Sequence, residues 1–539
     1  MSARKIATIA ALALVAGCGN ETHGSGPAGA AGGSARNGGA IGASGGGGGH
    51  AAGGSGGATT GTGGARATGG TAGSKASGGA AGVSASGGTP ASGGATAGAG
   101  GATRATGGAS ATGGVAGGSA GGSAGSTRPT GGTAGRTAGS GGAVGGAAGT
   151  SAAGGNQGGA SGPLSTDDPN VVAIVVDSGP KGSTYVNGPF ATITLCEPGT
   201  STCQTIDHLL IDTGSTGIRV LESAVKLNLP AATGSSGKNL AECLPFMSGS
   251  SWGPVRTADF KIGGETASKM KLQLIGELTY PMDSRCSGTP ITDLDTLGSN
   301  GILGVGLEAE DCGSSCASQT SNPGLYYECS SNKAGGCTMA AVPTANQIAN
   351  PIVSFETDNN GSFLQFPTIP AAGAPSVDGF LVFGIGTRAN NGLGSAKIFP
   401  TNSNGFVTTT YGSTQYNSFI DSGSNGLYFL DATHSKISTC SSGNWTGFYC
   451  PQSTTDFSAT ITNKNGASAQ VSFSVANPTK FSSSNYAFST LGGPMMDEGS
   501  TSSLNIGFDW GFPFYFGRTV FTAIQGKSTP GGSGPFFAF

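Results

Sequence analysis

Two short segments of this 539-residue chain share a pattern that can do chemistry: Leu209-Leu210-Ile211-Asp212-Thr213-Gly214-Ser215 and Ser418-Phe419-Ile420-Asp421-Ser422-Gly423-Ser424. In each, an apolar run delivers an aspartate into a tight turn, and the two aspartates stand 209 residues apart. Hydrolysing an amide without a metal or a covalent nucleophile needs a base to activate water and an acid to protonate the amide. Two carboxylates held together cannot both ionise easily, so a shared proton lets one pair supply both roles. The glycines Gly214 and Gly423 let two backbones approach closely. The hydroxyls suit support roles: Thr213 and Ser422 can bond across to the opposite strand, and Ser215 and Ser424 can bond the carboxylates. A single Asp-Ser-Gly-Ser reads as an Asx turn in a Ser/Gly-rich loop. It is the repetition, each time behind an apolar strand and about one lobe apart, that points to a site.

The elements that must position these loops are strands. Apolar, β-branched runs such as Val171–Val176, Phe190–Leu195, His208–Ile211, Met270–Ile275, Phe380–Phe383 and Ala469–Val475 are separated by Gly, Asn, Pro and Ser. Asn-Gly pairs at 187, 300, 360, 391 and 404 read as hairpin turns. Helical apolar spacing is scarce, and Glu222–Leu227 is the best short candidate. The pattern predicts an all-β domain. Phe366–Pro375 reads as the connection between an N-terminal lobe, 164–372, and a C-terminal lobe, 373–539.

On these residues the chain resembles the pepsin-like aspartic peptidases. The first motif runs on through Ser215-Thr216-Gly217-Ile218-Arg219-Val220, similar to that family's continuation. Asn300-Gly301-Ile302-Leu303-Gly304-Val305-Gly306 looks like the apolar-apolar-Gly segment that completes a ψ-shaped pairing. Ala258–Gly264, Gly379–Gly384 and the tail from Gly511 to Phe539 match further family strands, so the resemblance is collinear over most of 170–539. It implies a bilobal double-ψ β-barrel-type fold, with Asp212 and Asp421 as catalytic carboxylates acting on a polypeptide. Two positions depart from the family: Arg219 stands where it has Trp, and Phe246 aligns with its flap Tyr. Trp252 is an alternative covering aromatic. The wording also resembles a family of secreted bacterial proteins without assigned function. A catalytically weak or inactive surface binding protein is the alternative reading.

Other chemistries have less to work with. Of the four His, only His208 and His434 lie in the folded part, which excludes a three-His metal site within one chain; no metal and no cofactor are expected. Gly249-Ser250-Ser251-Trp252-Gly253 matches a nucleophile-elbow pattern that would need His434. The same pattern recurs at Gly53–Gly57, and Ser251 lacks a strand-to-helix context. His208 reads as a structural side chain. With a net charge of −3 and no basic run in the C-terminal domain, nucleic acid is not an expected partner.

The N-terminus supplies an address. Met-Ser-Ala-Arg-Lys followed by Ile6–Ala16 has the form of a secretory leader, 1–17. Val15-Ala16-Gly17-Cys18 resembles a bacterial lipobox, which implies lipid attachment at Cys18. Gly19 by the same analogy implies the outer membrane, with the domain periplasmic or at the cell surface. Residues 18–163 are dominated by Gly, Ala, Ser and Thr, too poor in large apolar side chains to offset ordering entropy, and read as a disordered tether. Some 140 flexible residues reach roughly 60–70 Å. The expected product is a monomer whose only membrane contact is its lipid. Ten Cys remain beyond Cys18, an even number that in an exported chain reads as disulfides. Spacing suggests Cys196–Cys203, Cys312–Cys316, Cys329–Cys337, Cys440–Cys450 and, by remainder, Cys243–Cys286.

Overall fold

The strand leading to the first aspartate, Cys203–Asp212, begins with alternating exposure and ends with four fully buried residues, Leu209 to Asp212. That change marks entry into the middle of a sheet, where both strand faces are covered. In the computed structural model, residues 163–539 are described, except 278, 464 and 496–504, and they belong to one compact unit. The leader, Cys18 and the Gly/Ala-rich stretch up to residue 162 lie outside the described residues.

The described residues form an all-β fold with two one-turn helices, Leu294–Leu297 and Ala432–Ser435, each N-capped by an aspartate. One sheet has 16 strands and a second has seven. The large sheet carries the N-terminal half and runs on into a platform built by both halves. Its platform order is Val171–Val176, Val377–Phe383, Gly361–Gln365, Thr519–Ala523, Phe536–Ala538 and Ile398–Pro400. The 372/373 division falls between two adjacent platform strands. The seven-stranded sheet, drawn from residues 407–510, carries the second aspartate. This is the bilobal, pepsin-like architecture that the resemblance implied.

The largest apolar cluster spans both halves, from Val172 and Leu209 to Trp510 and Phe537. Five disulfides join Cys196–Cys203, Cys243–Cys286, Cys312–Cys316, Cys329–Cys337 and Cys440–Cys450, all in the expected pairing.

Two local expectations need correction. Glu222–Leu227 is not a helix: a single 3-10 turn covers Glu222–Ala224, and Val225 is already extended. Gln204 on the neighbouring strand takes the Lys226 amide and donates to the Ala224 carbonyl, which draws the segment out of helical geometry. The Asn-Gly pairs are mostly not hairpin turns. Gly301 and Gly361 begin strands, and of the five pairs named above Asn404-Gly405 alone closes a tight turn, between Ile398–Pro400 and Val407–Tyr411. A further pair, Asn465-Gly466, closes the hairpin Thr455–Thr462/Ser468–Val475. Asn187, Asn300 and Asn360 are used over long range, and Asn391 braces its own loop. Asn187, at φ 55°, donates to the carbonyls of Asn425 and Phe488 and so ties the two halves beside the second aspartate loop.

Candidate active site

Each aspartate loop is closed by a third strand that pairs with both of its arms. In the first half, Gly301–Val305 runs parallel to Leu209–Asp212 and antiparallel to Thr216–Val220. In the second half, Ile506–Trp510 runs parallel to Asn417–Ile420 and antiparallel to Tyr428–Phe429. These are two ψ-shaped pairings of the same form. Glycine is needed where the closing strand meets the loop: a Cβ on Gly304 would lie 2.7 Å from the Gly217 carbonyl, and one on Gly511 2.0 Å from that of Gly426.

The loops face each other and interlock. The Ser422 amide donates to Thr213 Oγ1 (2.9 Å), and the Thr213 amide donates to Ser422 Oγ (3.1 Å). Thr213 Oγ1 also donates to the Ile420 carbonyl (3.2 Å), and Ser422 Oγ to the Ile211 carbonyl (2.7 Å). Tyr515 Oη lies 2.9 Å from Thr213 Oγ1 beneath this grip. The approach is close enough that a Cβ on Gly423 would sit 2.6 Å from Asp212 Oδ1.

Asp212 and Asp421 are fully buried and side by side: the point a Cβ would take on Gly423 lies 2.6 Å from Asp212 Oδ1 and 3.2 Å from Asp421 Oδ1. Their supports match. Gly214 N donates to Asp212 Oδ1 (2.8 Å) and Ser215 Oγ to Oδ2 (2.5 Å); Gly423 N donates to Asp421 Oδ1 (2.8 Å) and Ser424 Oγ to Oδ2 (2.8 Å). Burial raises the pKa of Asp212, while Asp421, Ser215, Gly214 and the charge of Arg219 pull it back. Asp421 is pushed well above the ordinary carboxylate range by burial, then by the charges of Asp212 and Asp509. The pair therefore holds one proton at pH values where isolated aspartates have lost theirs. All six supporting residues predicted from sequence, Thr213, Gly214, Ser215, Ser422, Gly423 and Ser424, are brought to this point.

Two features beside the pair were not foreseen: the acidic partners of Arg219, and Asp509. Arg219 is completely buried and donates from Nη2 to Glu242 (2.6 Å) and Asp311 (3.0 Å), and from Nη1 to the Thr216 carbonyl (2.7 Å). Tyr326 adds a hydroxyl on Asp311. Burial and then the Glu242 charge raise Asp311 well above its usual range. In the other half Asp509, 1% exposed, lies opposite Tyr428. Neither oxygen of Asp509 has a well-formed hydrogen bond, and the polar group bearing on it is the Ser424 hydroxyl. Burial first, and the charge of Asp212 with it, push Asp509 well above the ordinary range. The available signal was an acid inside the apolar run Ile506–Trp510, lined up against the first half.

The remaining candidates are occupied elsewhere. Phe246 stands at the tip of the hairpin Asn239–Phe246/Gly249–Ile262, but its side chain is buried in a cluster with Leu244, Ile275 and Ile291. Trp252 donates to the Tyr280 carbonyl (2.9 Å) and packs edge-on against Tyr327. Ser251 Oγ is buried on Gln273 (2.7 Å), whereas His434 pairs with Asp431 on an exposed helix, so the serine-nucleophile pattern is not assembled. His208, at φ 50°, pairs with Asp177 and packs on Phe190 as a structural side chain.

Two ψ-closed loops presenting a paired aspartate within a bilobal all-β fold define an aspartic-proteinase type of architecture. The sequence matches the family "Protein of unknown function (DUF3443)" over residues 166–539, and the chain belongs to that family. No curated protein matches it. Among matching solved structures is an aspartic proteinase from Irpex lacteus, 14% identical, covering 68% of this chain and 96% of that one with a TM-score of 0.41.

Proposed function

We propose that the chain is an exported aspartic endopeptidase in which Asp212 and Asp421 activate a water molecule against a polypeptide. The observation that carries this reading is the placement of two fully buried carboxyl groups side by side, each held in the same way by its own loop's glycine amide and serine hydroxyl. In the proposed step the ionised carboxylate takes a proton from water as the water oxygen bonds to the amide carbon. The protonated partner gives its proton to the carbonyl oxygen. The tetrahedral diol then collapses: the C–N bond breaks, nitrogen leaves with a proton, and the pair returns to its single-proton state. Neither a metal nor a cofactor enters this scheme.

The location is part of the proposal. The lipobox-like Val15–Cys18 would anchor the protein to the outer membrane through Cys18, with the domain reaching its substrate on the Gly/Ala-rich tether as a monomer. Among the described residues no helix is long and apolar enough to cross a membrane.

A second reading, a cleft that binds a peptide without cutting it, is favoured by one observation: the hairpin-tip Phe246 is buried in the core. Incubating the purified full-length chain with unfolded casein separates the two. The peptidase reading expects cleavage in the acid range, blocked by a pepstatin-type inhibitor and lost in D212N. The binding reading expects casein retention with no new peptides. Cleavage that survives D212N undiminished rejects the dyad.

A further inference from the structure

Behind the second aspartate loop, the seven-stranded half carries a partly open pocket of about 200 Å³ whose lining includes Phe473, Thr490, Trp510, Phe514 and Arg518. Arg518 is half-buried, and burial alone lowers its pKa to about 10; no acidic neighbour acts on it among the described residues. Its Nη1 donates to the Phe514 carbonyl (2.6 Å), and its guanidinium carbon lies 4.6 Å from the centre of the Phe514 ring. A guanidinium has five N–H donors, and an uncompensated buried charge is costly. Arg219, which is fully buried, has two carboxylates. On the same cavity Thr490, 7% exposed, has a buried hydroxyl with no hydrogen-bond partner. The remaining lining is partly aromatic, beside aliphatic and serine side chains: Phe473 meets Trp510 edge-on at 5.4 Å, and Trp510 meets Phe514 at 5.6 Å.

We infer that this cavity is a binding site for a small organic carboxylate, held by Arg518 and Thr490 through its anionic end and by Phe473, Trp510 and Phe514 through its apolar end. A carboxylate matches the fork of a guanidinium and accepts the Thr490 hydroxyl, which supplies both groups with their missing partner. The volume lies below that of pockets for drug-sized molecules, so the ligand is fragment-sized. The site shares no residue with the Asp212–Asp421 pair and does not depend on peptidase activity.

Calorimetric titration of the full-length chain with phenylacetate tests it, with phenylacetamide as the neutral control and inorganic phosphate as the anion without an apolar group. Phenylacetate should bind saturably at one site, about tenfold or more tighter than either control. R518Q should weaken it by about tenfold or more, and T490V by a few-fold. Should R518Q fail to fold, T490V and the three-ligand comparison on the unmodified chain still decide. Absence of saturable phenylacetate binding overturns the inference. So does phosphate binding as tightly as phenylacetate, or affinity unchanged in both variants.

Discussion

The two ψ-closed halves have the same backbone and opposite solutions to burying charge beside an aspartate. Strand register makes Asp212 and Asp421 equivalent, and with them Arg219 and Tyr428, and Ile302 and Asp509. In the first half the loop arm carries a buried cation opposite an isoleucine, and the cation is matched by Glu242 and Asp311. In the second half the arm carries a tyrosine opposite a buried acid with no basic partner among the described residues. One half pairs its buried charge; the other leaves a buried acid whose ionisation burial opposes. The Arg219 charge pulls Asp212 down, while Asp509 pushes Asp421 up. The asymmetry thus biases the shared proton of two otherwise matching carboxyls toward Asp421.

The largest effect that could break this comparison comes from the pair itself. D212N and D421N should each lower the rate of casein cleavage by about 10³-fold or more while the chain stays folded. The double variant should lose little further, since the two act as a unit. Unequal losses would show that only one half does chemistry. Next, R219M leaves Glu242 and Asp311 buried without a counter-charge and should cost about 3–5 kcal/mol in urea denaturation. Adding E242Q and D311N should recover most of it, because neutral partners need no cation.

Arg219 also shows where sequence reading stops. Its departure from the family pattern was legible at once, but its partners lie 23 and 92 residues further on, in runs that look unremarkable. The dyad and its six supporting residues were legible because their chemistry is local, seven residues per loop. The leading strands were legible for the same reason: a buried apolar run needs no knowledge of its neighbour. Asp509 was not, since one acid in an apolar strand acquires meaning only when the two halves are laid in register. The Asn-Gly pairs at 187, 300 and 360 misled because the asparagine side chains bond across the fold, and Glu222–Leu227 because Gln204 outcompetes a helix without a capping side chain.

Two smaller effects sharpen the comparison. Asp509 has a folded-state pKa above its unfolded value, so the folded state binds the extra proton. Its contribution to stability is present at low pH and is lost as the pH rises above the ordinary aspartate value of 3.8. D509N should therefore flatten the fall in urea-denaturation stability between acid and neutral pH. With the Asp509 charge removed, Asp421 gives up its proton more readily, and the alkaline limb of the pH–rate profile should move toward acid. An unmoved limb would mean that Asp509 has no influence on the pair. Smallest is the grip: T213V and S422A should each cost about 1 kcal/mol, and a double-mutant cycle should show them coupled.

The most direct test of the central claim is the initial rate of casein cleavage by the full-length chain across roughly pH 3 to 7, where a shared-proton pair should work. The account predicts a bell-shaped profile that a pepstatin-type inhibitor abolishes. Folded protein that cleaves nothing anywhere in that range would contradict it.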